Sequence, residues 1–149
     1  MGDYEKFEAD CKNIRKVNKN LLNEFRIQLK SSGLSDKIIQ KHISNIDFYI
    51  NNFLLYEDAV EAKDGANMVS MFLGYWFIKK AMWASQAHIK NNAASLKKFY
   101  AFMLEKKLIC AEDLSDLEQT IKDEMPEWLA TVERYDDSSI EDMEDVWNM

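Results

Sequence analysis

Seven lysines, Lys79, Lys80, Lys90, Lys97, Lys98, Lys106 and Lys107, stand between residues 66 and 110 against one acid, Glu105, a local net charge of +6. Ammonium groups gathered in this way attract anions, above all the phosphates of a polyanion, through Coulomb attraction and the release of condensed counterions. The sign then reverses. Residues 111 to 149 hold fourteen acids against Lys122 and Arg134, a net of −12, while the first 65 residues come to −1 and the whole chain to −7. A basic stretch inside an acidic protein implies an anionic partner for one face only. Lys90, Lys97 and Lys98 fall on neighbouring turns of a helix and can share a surface. The same lysines also suit a plain solvated helix face.

Other chemistries find little support. Cys11 and Cys110 are far apart, without a CxxC pair or clustered His, which predicts buried or half-buried thiols. His42 falls on an apolar stripe, as a hydrogen-bonded, partly buried residue does, and His88 has no neighbour at metal-ligand spacing. The acid pairs Glu57-Asp58, Glu112-Asp113 and Asp136-Asp137 lack an apolar pocket that would raise a carboxyl pKa for acid/base work. No Gly-rich phosphate loop, nucleophile elbow or calcium loop occurs. Catalytic residues, a metal site and a cofactor are therefore not expected. Trp76, Trp83, Phe99 and Tyr100 have the chemistry to stack on bases, yet helical cores use the same residues at the same spacing, and the core is the better assignment.

The elements that must position the lysines are helical. Tyr4, Phe7, Cys11 and Ile14 alternate steps of three and four, and the pattern resumes after Asn18 at Leu21, Leu22, Phe25 and Leu29, predicting one long helix or two with a break near Asn18. Ser31-Ser32-Gly33 ends it, and Ser35 caps a second helix through about residue 55. Residues 56–66 read as a loop, residues 67–80 as a third helix, and Ser85 caps a fourth that carries Lys90, Lys97 and Lys98. A fifth is expected over residues 111–124, with Pro126 in the first turn of a sixth. Ile140, Met143, Val146 and Trp147 continue at helical spacing among acids, so the tail is amphipathic.

At 149 residues, with 47% hydrophobic content, one Pro and four Gly, the chain fits a single all-α domain. No apolar run approaches a membrane span and the charged start lacks a signal-peptide core, so a soluble, cytoplasmic protein is expected.

The order of these signals resembles the amino-terminal, SAM-like core-binding domain of phage integrases and other tyrosine recombinases. The resembling run is Leu21-Leu22-Asn23-Glu24-Phe25 with Leu29, then Gly33-Leu34-Ser35, Ile38-Ile39, His42, Ile46 and Phe53. It resumes at Phe72 and Trp76, then Ser85, Ile89-Lys90, residues 94 to 103 and Leu108-Ile109, covering about 90 of the 149 residues. The family's catalytic Arg, Lys, His-x-x-Arg and nucleophilic Tyr belong to a second domain with no counterpart here: the Arg are Arg15, Arg26 and Arg134, and the two His are followed by Ile43-Ser44-Asn45 and Ile89-Lys90-Asn91.

The resemblance implies an integrase-like four-helix core over residues 1–110 with added acidic carboxyl-terminal helices over 111–149. It also implies non-catalytic binding of double-stranded DNA, as an accessory or regulatory protein of DNA integration or recombination. Carried over by position, the DNA-contacting residues are Lys37 and Lys41 on the second helix, Lys79 and Lys80 after the third, and Lys90, Lys97 and Lys98 on the fourth, with Asn91 and Gln86 supplying polar contacts. Binding would be weak, salt-dependent and poor in sequence selectivity, because bidentate reading of guanine favours Arg. The alternative is a protein-interaction module that keeps the fold and docks a partner, or a second copy, through residues 126–149 or uses its Trp-rich surface.

Overall fold

The computed structural model describes the backbone of residues 2–80 and 84–147 and the side chains of residues 2–80 and 84–134. The described residues are all-helical, without a strand.

Helix α1 (Asp3–Ser31) is continuous through Asn18. The polar residue does not break it because Asn18 is fully buried, and its Nδ2 donates to Ile50 O at 3.2 Å and to Asn51 Oδ1 at 2.8 Å. Gly33, at φ +88°, closes the helix: its N–H donates to Lys30 O while Leu34 N–H reaches back to Leu29 O. This pairing satisfies the last carbonyls, and Leu29 and Leu34 join the core above it. Ser35 then caps α2 (Asp36–Asp47) by accepting from Ile38 N–H at 3.3 Å. The helix widens into a π-helical turn, Phe48–Phe53, that buries Tyr49, Ile50 and Phe53.

The acidic connection after it is held from beneath. Tyr49 Oη donates to Gly65 O at 2.6 Å, and Tyr100 Oη donates to Ala62 O at 2.8 Å. Burial raises both phenol pKa values, so both groups stay protonated donors. Where the sequence predicts one helix over residues 67–80, the chain passes through α3 (Val69–Met71), a π turn (Phe72–Trp76) and α4 (Phe77–Lys80). The extra residue of the π turn lets Phe72, Leu73, Phe77 and Ile78 all be buried, Phe72 against Phe48 and Phe53 and Phe77 against Phe48.

Helix α5 (Gln86–Glu105) starts at Ser85, which accepts from His88 N–H, and ends with Lys107 at φ +62°. The last helix, α6 (Ala111–Trp147), corrects the expectation of two helices, since Pro126 lies inside it. Leu117, Ile121, Trp128 and Val132 keep one buried face across the proline, and that packing carries the helix through. Cys11 is buried, but Cys110 is exposed: it stands at the start of α6, where Asp113 Oδ2 accepts from its backbone N–H at 3.1 Å and from its thiol at 3.2 Å.

Helices α1 and α2 form an antiparallel hairpin laid against α5. Phe25 packs edge-on to Phe99, and Gln28 meets Glu105, so α1 and α5 run the same way. Helix α6 runs opposite to α5, with Gln86 Nε2 donating to Leu129 O at 3.2 Å. Leu117, Ile121, Trp128 and Val132 belong to the same hydrophobic cluster as Phe25, Ile46 and Phe99. Among the described residues, no helix is long and apolar enough to cross a membrane.

Candidate anion-binding groove

Helix α2 has Ile39, Ile43 and Ile46 inward, which turns Lys37, Lys41 and Ser44 outward beside α5. Between the two helices runs an open groove of about 750 Å³, flanked by Lys37, Lys41, His42 and Asn45 on α2 and by His88 and Asn91 on α5. No carboxylate lines it. Two of its lining residues are held by Ser95, fully buried, whose Oγ accepts from Asn45 Nδ2 at 3.0 Å and lies 2.7 Å from His42 Nδ1. The hydroxyl has one proton and two lone pairs, so the direction of its bond with Nδ1 follows the tautomer of the His42 ring. Burial, reinforced by the Lys98 ammonium, holds the His42 pKa below its ordinary value. The groove therefore presents cations and neutral donors. His88 is tied to the cap, with Nδ1 2.8 Å from Ser85 Oγ.

The structure divides the other lysines. One residue step along a helix turns about 100°, so Asn91 and Lys98, seven apart, fall on one flank of α5 and Lys90 and Lys97 on another. Lys98 is near His42 on the α2 side. Lys97 lines a separate groove of about 790 Å³ against α6, with Glu118 and Lys122, and Lys90 is exposed on the same flank. Lys97 thus turns towards α6 and Lys98 towards α2. Gln86 is taken up by Leu129 O and, at 3.5 Å, by Glu133.

Lys79 and Lys80 lie elsewhere, their ammonium nitrogens 4.5 and 4.9 Å from the ring centroids of Tyr75 and Tyr56. Lys106 pairs with Glu24 at 2.8 Å. Of the aromatic residues considered for stacking, Phe99 and Tyr100 are fully buried and Trp76 is half-buried among Phe48, Phe53 and Phe72. Trp83 and the side chains of the tail residues Ile140, Met143, Val146 and Trp147 lie outside the described residues. No group of three or more His, Cys, Asp or Glu that could hold a metal ion occurs among the described residues.

Ser95 and Asn45 escaped notice in the sequence because neutral polar residues carry no charge pattern. The available signal was Ser95 beside Leu96 on the inward side of α5, a hydroxyl at a core position that has to find a partner. Compared with known protein families, curated proteins and solved structures, the chain matches none.

Proposed function

We propose that this chain is a non-catalytic binding module for double-stranded DNA of the recombinase core-binding type, acting inside the cell as an accessory or regulator of DNA integration or recombination. One observation carries the proposal: Lys37, Lys41 and Asn91 line one groove without a carboxylate, and Lys98 stands beside it. Phosphates gain from such a groove because the cations are not already neutralised by acids of their own. Lys90 and Lys97 would touch the same duplex only at its edge, since the acidic helix α6 borders their flank.

The test is titration of random-sequence duplex, followed by fluorescence anisotropy across a salt series. Affinity should rise steeply as salt is lowered, and each of Lys37→Glu, Lys41→Glu and Lys98→Glu should weaken binding about uniformly over sequences and reduce the salt slope by about one. Lys79→Glu should change little. Absence of duplex binding at low ionic strength, both in the intact chain and after its tail acids are neutralised, would sink the proposal.

A second function rests on a different surface. Tyr56, Met71 and Tyr75 are all more than half exposed around Trp76, whose buried Nε1 has no hydrogen-bond partner among the described residues. Exposed aromatic residues beside a hollow are what a protein-interaction module presents. If duplex binding is absent, this patch becomes the leading surface.

A further inference from the structure

We propose that the α2–α5 groove is also the docking site for the acidic end of α6 from a second copy of this chain, so that self-association and polyanion binding compete for the same lysines. The docking uses the groove assigned above to DNA but does not require that DNA bind there.

Charge complementarity identifies the occupant. Residues 136–147 hold six acids and no base, whereas the groove holds Lys37 and Lys41, has Lys98 at its side and is lined by no carboxylate. The groove also offers apolar surface, with Ile38 44% exposed beside Ala94. The segment has Ile140, Met143, Val146 and Trp147 at helical spacing between its acids, so an acidic amphipathic helix meets a basic groove with an apolar strip.

The fold explains why the two come from different molecules. Helix α6 lies on the flank of α5 that carries Lys97 and runs antiparallel to it, reaching Gln86 at the start of α5 by Leu129. The continuous helix therefore carries residues 134–147 about 20 Å past that end. The groove is on the other flank. A helix that continues outward does not return to it within one chain, but a neighbouring copy can present it.

Sedimentation equilibrium of the 149-residue chain over a salt series tests this. Reversible self-association that strengthens as salt falls is expected. Lys37→Glu with Lys41→Glu should weaken it by about tenfold or more, as should neutralising the six acids to Asn and Gln. Combining Lys37→Glu and Lys41→Glu with Asp136→Lys, Asp137→Lys and Glu141→Lys should restore association, a recovery that misfolding cannot mimic. A strict monomer at low salt and high concentration, or association indifferent to Lys37→Glu and Lys41→Glu, overturns the docking. Duplex titration of the acid-neutralised variant separates the two proposals. Tighter DNA binding than in the parent supports both, while salt-sensitive association without any DNA binding supports the docking and removes the DNA function.

Discussion

The indole of Trp128 occupies the space that a side chain at Gly74 would need: a Cβ there would lie 2.9 Å from Nε1 and 3.1 Å from Cδ1. Gly74 lies in the π turn, and Trp128 is the buried anchor of α6 beyond Pro126. Two effects of Gly74→Ala oppose each other. Helix propensity gains up to about 1 kcal/mol, whereas forcing a methyl against a seated ring costs about 1–3 kcal/mol. Net destabilisation in urea unfolding is expected, and in a Trp128→Ala background, where the ring is gone and only the propensity gain remains, Gly74→Ala should instead stabilise by up to about 1 kcal/mol. A stabilised Gly74→Ala would show that Trp128 does not seat there.

Lys107 adopts φ +62° at the end of α5, where its N–H donates to Leu104 O and Leu108 N–H to Met103 O, the closure that Gly33 makes after α1. A Cβ in that conformation costs about 1–2 kcal/mol, and glycine gives back part of it through its freer unfolded chain. Lys107→Gly should therefore raise the stability by about 0.5–1 kcal/mol. Lys107→Val should lower it.

Asn18 donates to Ile50 O from inside the apolar stripe of α1. Removing the amide leaves a buried carbonyl unpaired, so Asn18→Ala should cost about 1–3 kcal/mol. Asn18→Leu would keep the volume and lose the bond. If both variants match the parent in denaturant midpoint, the contact contributes nothing.

His42 has its pKa held below the ordinary value of 6.5 in the folded chain, by burial first and Lys98 second. The unfolded chain then binds the proton more readily, so this residue lowers stability as pH falls through 6.5 towards the folded value and has no effect well above 6.5. His42→Gln should flatten that part of the stability-versus-pH curve, while Lys98→Gln should shift the His42 titration, followed by NMR, upwards. An unchanged titration would exclude the proximity of Lys98.

Helix ends were legible because their chemistry is local. Ser35, Ser85 and Gly33 act within four residues of themselves, and each sits where the sequence reading puts it. Asn18 and Pro126 were not, because what decides them is distant. A polar residue in a stripe reads as a break until Ile50 O, 32 residues away, is known to receive it. A proline reads as a new start until the buried face from Leu117 to Val132 is seen to continue across it. The groove was half legible. Periodicity turns Lys37 and Lys41 outward, and adjacent Lys97 and Lys98 diverge by about 100°, but which one faces α2 and which faces α6 depends on where those helices settle against α5.

The two phenols beneath residues 62–65 have a further consequence. An irregular connection rich in acids and carrying Lys63 on its surface would ordinarily invite trypsin, yet its backbone carbonyls are latched from the interior by Tyr49 and Tyr100. A protease needs an extended, detached substrate, and detaching this one means breaking both phenol bonds and exposing the buried Ala62 and Ala66. Cleavage after Lys63 would thus keep time with the release of these two latches, making that peptide bond a clock for their opening.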